Sequence, residues 1–166
     1  MSTTALVPLE EFLRRTEKPN GEYIDGVLHL KSMPTTAHGR MQLALLLLLN
    51  KLGLEALPEV ALRITPTKYL VPDVIAAKHL ASPYPTEPVL LCVEILSPED
   101  RIGSMLAKCE QYHAWGVPSC WVIDPVKRVA WEYAAGEEPL RIADTGKLQA
   151  GDISIAVADL FAQLKG

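Results

Sequence analysis

Two carboxylic acids stand in runs whose other residues suit buried strands. Asp73 follows Pro72 inside "YLVPDVIAAK", and Glu94 lies in "LLCVEILS", 21 residues later. The stretch from Pro88 to Leu96 is apolar apart from Glu94. An ionised carboxylate is costly to bury alone, so such groups are paired, protonated or bound to metal. Two adjacent strands, each offering an acid near a distorted edge, would suit a hard divalent cation. Mg2+ takes one or two carboxylates plus other oxygens and waters, and the Ile95 carbonyl is a candidate third oxygen. Taken singly, each acid has a plainer reading, Asp73 as a turn cap and Glu94 as a solvent-facing strand end.

Lys108 changes the balance. It lies in "SPEDRIGSMLAKCEQYHAWG", where Arg101, Ser104, Lys108 and Gln111 form a polar stripe at helical spacing. A helix that starts just after Glu94 and packs back on the sheet can aim one of these side chains at the acids. A lysine so placed could stabilise phosphorane charge or orient an attacking water. Alone it reads as a solvated surface group; with Asp73 and Glu94 it defines a site. Glu22, before a hairpin signal, is a further candidate acid, about as readily a strand-edge surface residue. His38 and Arg40 stand near a helix start, where anions are attracted, although capping or packing suits His38 better. Asp124 reads as a turn former before Pro125, Tyr112 as a packing residue, and Trp115, Trp121 and Trp131 as core or interface.

The elements that must position these residues can be read from pattern. "VPLEEFLRRTEK" predicts a short helix with Pro8 near its start, and "EYIDGVLHLK" a hairpin turning at Asp25-Gly26. "TTAHGRMQLALLLLLNKLG" predicts a long, mostly buried helix capped by Thr35 or Thr36 and stopped by Gly53. Strands are expected in "PEVALRITP", "KYLVPDVIAAK", "PVLLCVEILS" and "PSCWVID". The helix between the last two is expected to begin with Ser97 as cap and Pro98 in its first turn, making a parallel crossover unit. "RVAWEYAAG", "EPLRIAD" and "DISIAV" predict peripheral antiparallel strands, and "ADLFAQL" a terminal helix. The class is α/β or α+β, with helices packed on a mixed sheet.

Bulk composition narrows the setting. The length of 166 residues suits one domain over residues 1–166. A net charge of −4 argues against a nonspecific nucleic-acid coat, which needs a broad basic surface. It is compatible with a nucleic-acid enzyme whose carboxylates a metal offsets. Three cysteines without CxxC spacing point to reduced, buried thiols. "MSTTALVPLEEF" does not read as a signal peptide, and "LALLLLL" is far short of a membrane span. The expectation is a cytoplasmic protein with no membrane partner.

"VPDV", "CVEILSP", the stretch from Lys108 to Tyr112 and "AWGVPSCWVIDP" together resemble the Uma-two family of restriction endonucleases, a branch of the PD-(D/E)XK nucleases. "GEYIDGVL" and "AHGRMQLAL" extend the resemblance, which runs from Glu22 to Pro125. It implies a restriction-endonuclease-like fold, a mixed central sheet flanked by helices with a peripheral antiparallel set. It implies Mg2+- or Mn2+-dependent phosphodiester hydrolysis on DNA, with Asp73 and Glu94 holding the metal. The superfamily lysine is expected two positions after the acid, where this chain has Leu96. The resembling branch supplies it from the following helix, and Lys108 fits that place. Glu22 matches a further acidic position. A homodimer would supply two active sites for two strands. Two other readings stay open, a non-catalytic nucleic-acid or protein binding module and a hydrolase of a smaller phosphate ester.

Overall fold

The computed structural model describes residues 4–164. The chain opens with β1 (Thr4–Leu6) and a short helix α1 (Leu9–Leu13), then a hairpin of β2 (Gly21–Ile24) and β3 (Val27–Leu30). Helix α2 (Thr36–Lys51) follows, with β4 (Glu55–Pro58), β5 (Leu62–Thr65), β6 (Lys68–Leu70) and β7 (Val74–Ala77) after it. The central unit is β8 (Leu91–Ile95), α3 (Ile102–Trp115) and β9 (Ser119–Asp124). Strands β10 (Val129–Ala134), β11 (Leu140–Ile142), β12 (Lys147–Ala150) and β13 (Ile153–Ala156) lead to α4 (Val157–Ala162).

Six strands form a mixed sheet in the order β11-β10-β9-β8-β7-β4, in which only the β8–β9 pair is parallel. A second, antiparallel sheet has the order β1-β3-β2-β6-β5, and β12 pairs with β13 alone. The class is α+β with a mixed central sheet and flanking helices, as the resemblance implied.

Strand alternation divides the core in two. Leu91, Val93 and Ile95 of β8 join Trp121 and Ile123 of β9 against α2 and α4, through Met41, Leu45 and Leu160. Cys92, Cys120 and Val122 face the opposite way, onto Cys109 and Tyr112 of α3. Both faces of the central strands are therefore covered, which is why they read as continuous apolar runs rather than as alternating ones. Glu94 shares its parity with Cys92, so the period of two aims it at α3.

Several expectations need correction. "KYLVPDVIAAK" is not one strand: β6 ends at Leu70 in one sheet, β7 begins at Val74 in the other, and Pro72 lies in the connection. A proline cannot donate to a ladder, so it breaks the run instead of sitting in it. Helix α3 begins at Ile102, not at Ser97. The Asp100 carboxylate accepts from the Ser97 amide at 2.8 Å, and the Asp100 amide donates to the Ser97 carbonyl at 2.9 Å. Those two bonds close a turn before the helix starts. Helix α2 is capped by Thr35, whose Oγ1 accepts from the His38 amide, but Leu43 and Leu47 are exposed, so only one face of it is buried. Two strands lie outside the expected set: β4, which has no regular alternation, and β12, whose four residues alternate exposed and buried.

The turn glycines do what the pattern asked. Asp25 and Gly26 both take positive φ, 48° and 88°, as a two-residue hairpin of this hand requires. Gly116 ends α3 at φ 120°, and a Cβ there would stand 2.8 Å from Pro88 Cγ. Gly116→Ala should therefore lower the unfolding free energy by about 1–3 kcal/mol. A urea midpoint equal to that of wild type would contradict this account.

Candidate functional site

The two sheets meet at the Val71-Pro72-Asp73 connection, and the N-terminal end of α2 and the body of α3 close over that meeting point. Between them lies a cavity of about 340 Å³. Glu22 of β2, Asp73 of the connection, Glu94 and Ile95 of β8 and Lys108 of α3 all line it. These residues, singled out by the sequence as the acids, carbonyl and lysine of one site, are thus brought to one place.

Each carboxylate is held in its own way. Asp73 Oδ1 pairs with Lys31 Nζ at 2.8 Å and His38 Nε2 at 3.2 Å, while Oδ2 accepts the Ile95 amide at 2.7 Å. The Asp73 carbonyl accepts from Gln42 of α2 at 2.8 Å. Lys31 also donates to Glu59 Oε2 at 2.9 Å and to the Val71 carbonyl at 2.7 Å. Burial would raise the Asp73 pKa, but Lys31 and His38 outweigh it and hold the carboxyl well below the usual range. Burial likewise opposes the Lys31 ammonium, and Asp73, Glu94, Glu59 and Glu22 override it, holding Lys31 well above the ordinary lysine value.

Glu94 sits in a different environment. Its Oε1 accepts the Tyr112 hydroxyl at 2.5 Å and lies 3.4 Å from Lys108 Nζ. Lys108 in turn pairs with Glu22 Oε1 at 2.8 Å, and Glu22 Oε2 accepts the Val71 amide at 2.7 Å. Burial pushes the Glu94 pKa up to about 7, with Lys108 opposing and Asp73 adding to the rise. Burial and the Glu94 charge raise Tyr112 well above the ordinary phenol, so it stays protonated and donates. Lys108 is held above its ordinary value because Glu94 and Glu22 outweigh its burial.

Backbone geometry accounts for Ile95. The Leu96 amide bonds to Ile123 of β9 at 2.8 Å, so by strand alternation the polar groups of Ile95 face the other way, toward β7. Val93 lies opposite Val74, and continuing that register sets Pro72 opposite Ile95. Pro72 has no N–H to give to the Ile95 carbonyl, while the Ile95 amide donates to Asp73 Oδ2. Ile95 lines the cavity, and in this register its carbonyl receives no N–H from Pro72.

These atoms fit a hard cation with few protein ligands. Glu94 Oε2 has no hydrogen-bond or ion-pair partner among the described residues, and it stands with Asp73 Oδ2 and the Ile95 carbonyl as the available oxygens. No cluster of three His, Cys, Asp or Glu side chains with metal-holding geometry occurs among the described residues. Any ion here would thus be held by two carboxylates, a carbonyl and waters, a set that suits Mg2+ or Mn2+.

Other candidates fall away or gain a place. Asp124 accepts the Val126 and Lys127 amides, as a turn former should. Arg40 lies on a different surface, beside Leu43 and Leu47. Trp121 is buried in the core. His38, read as capping or packing, pairs with Asp73, and burial is outweighed by that contact so that its pKa is raised. Lys31, Glu59 and Gln42 had not been singled out. Their only signal was a lysine directly after the hairpin, and its partners lie 28 and 42 residues away.

The family model Uma2, described as "Putative restriction endonuclease", matches residues 9–160. The chain belongs to the Uma2 family. Among solved structures, this Uma2 chain is similar to the crystal structure of a "putative nuclease belonging to DUF820" from Anabaena variabilis. The TM-score is 0.78 at 21% identity, covering 95% of this chain and 98% of that one. At that identity the likeness carries the fold. No curated protein matches the chain. No helix among the described residues is long and apolar enough to cross a membrane.

The contrast between the acids gives a pH test on the metal-free protein. Between the ordinary value of 4.5 and about 7, unfolded Glu94 has lost its proton while folded Glu94 keeps it. Stability attributable to this group therefore falls as pH rises through that window. Glu94→Gln, which mimics the protonated form, should match wild type near pH 5 and gain on it by about 2–3 kcal/mol near pH 8. A difference in denaturant unfolding that stays flat with pH would contradict the assignment.

Proposed function

We propose that this Uma2 protein is a metal-dependent endonuclease that hydrolyses phosphodiester bonds in DNA. The observation that carries the reading is the convergence of Asp73, Glu94, Ile95 and Lys108 on one cavity. Its volume falls within the roughly 300–1,000 Å³ range of small-ligand clefts, enough for a phosphodiester and its immediate neighbours. A Mg2+ or Mn2+ bound there would supply charge for the phosphoryl oxygens and lower the pKa of an attacking water.

The remaining work falls to the chain. Asp73 Oδ2 and Glu94 Oε2 would hold the ion together with the Ile95 carbonyl. Asp73 is ionised at any working pH because Lys31 and His38 stabilise its charge. Tyr112 fixes Glu94 through Oε1 and leaves Oε2 without a partner among the described residues. The Lys108 ammonium lies half-buried between Glu22 Oε1 and Glu94 Oε1 on the α3 side. Its role would be to stabilise charge that develops on phosphorus or to orient the water. Glu22 holds that ammonium in place. A homodimer would present two such cavities to the two strands of a duplex.

The test has two parts. Wild type should bind Mn2+ by calorimetry and nick plasmid DNA, and Asp73→Asn with Glu94→Gln should do neither while keeping the wild-type circular dichroism. Lys108→Gln should keep metal binding yet lose about 10²–10³-fold in turnover, the scale for removing one transition-state donor. Wild type that binds no Mn2+ at millimolar concentration would end the reading, and a fully active Lys108→Gln would remove Lys108 from its role.

A further inference from the structure

A carboxylate offers about four lone-pair positions, two on each oxygen. Three of those on Asp73 are taken. Oδ1 receives Lys31 at 2.8 Å and His38 at 3.2 Å, and Oδ2 receives the Ile95 amide at 2.7 Å. One position on Oδ2 remains. Glu94 is filled on one side only, because Oε1 receives Tyr112 at 2.5 Å and Lys108 at 3.4 Å. Catalytic sites with two metal ions hold them about 3.5–4 Å apart. An acid that bridges such a pair through its two oxygens must have both of them open, and here neither acid does.

Beyond Asp73 Oδ1, on the side a second ion would occupy, the Lys31 ammonium already stands. It is anchored by Glu59 Oε2 at 2.9 Å and the Val71 carbonyl at 2.7 Å, as well as by Asp73. An ammonium has three N–H groups, so Lys31 has none left for a substrate. Its side chain is 13% exposed and that of Asp73 5%, so the pair is shielded from competing water.

We infer that Lys31 takes the place of a second cation, making the cavity a one-ion site in which a side chain neutralises the far oxygen of Asp73. Lys31 is then a positioning residue: it orients Asp73 so that the remaining position on Oδ2 faces the Ile95 carbonyl and Glu94. This rests on the proposed hydrolase reading, and binding stoichiometry separates the two.

The experiment is a Mn2+ titration of the full chain, followed by calorimetry and electron paramagnetic resonance. Wild type is expected to bind one Mn2+ per chain with the spectrum of an isolated ion. Two Mn2+ per chain with an exchange-coupled spectrum would overturn the inference and leave the hydrolase reading standing. No binding would end the hydrolase reading, and the inference with it. Lys31→Ala opens Oδ1 beside Glu59 and His38 and should raise the stoichiometry from one to two, a gain that Asp73→Asn in the same background abolishes. Lys31→Arg keeps the cation and should stay at one. A folded Lys31→Ala protein that still binds a single Mn2+ would also overturn the inference, and if that variant does not fold, the wild-type stoichiometry decides alone.

Discussion

Four carboxyl groups, the buried Glu22, Asp73 and Glu94 and the partly exposed Glu59, are gathered at one cavity, and the chain must neutralise them itself. Two lysines do most of this, each bridging two acids. Lys31 joins Asp73 to Glu59, and Lys108 joins Glu22 to Glu94. Because the partners come from different elements, the pairs also fix how those elements meet. Lys31 ties the end of β3 to the β6–β7 connection and to the segment after β4. Lys108 ties α3 to both sheets. The net stability from such pairs is small, since desolvation offsets attraction, but removing one partner typically costs about 3–5 kcal/mol. Their physical consequence is a single arrangement of the cavity walls rather than a large gain in stability.

Backbone constraints complete the arrangement. Pro72 ends β6 and, at the position facing Ile95, withholds the N–H that a strand would have offered. The Ile95 carbonyl goes without that donor, and the Ile95 amide separately donates to Asp73. Glu94 reaches the same space because strand parity turns it to the α3 face, while its neighbours Val93 and Ile95 enter the opposite core. An apolar run with an acid near its end is what a central strand looks like when both faces are covered and one position opens on a cavity.

This explains what the sequence could and could not reveal. Asp73, Glu94 and Pro72 were conspicuous because each violates the pattern of its own segment. Lys108 was legible through its place in a polar stripe, and Glu22 through its place in the family pattern. Lys31 violated nothing. A lysine after a hairpin reads as an exposed end, and its significance comes only from partners brought in by long-range folding. The helix start was misread because Ser97-Pro98 satisfies a capping pattern that the Asp100 side chain pre-empts. Tyr112 fitted the apolar spacing of α3 so well that its hydroxyl, the part that meets Glu94, left no periodic trace. Strand β4 owes its existence to the sheet edge it completes, not to any alternation of its own, and the four alternating residues of β12 are too few to stand out.

The two central acids are driven apart in proton affinity by their surroundings. Asp73 has a full cation on one oxygen and a backbone donor on the other, and both favour the charged form. Glu94 is more deeply desolvated, lies within the field of Asp73 and receives only a phenol and a more distant ammonium. One group is therefore a fixed anion, while the other changes protonation near neutrality. Paired acids separated in this way recur where a site needs one permanent charge and one adjustable charge. The asymmetry follows from the deeper burial of Glu94 and from which side chain stands at 2.8 Å and which at 3.4 Å. Lys31, the residue least visible in the sequence, is the largest cause of the lowering at Asp73.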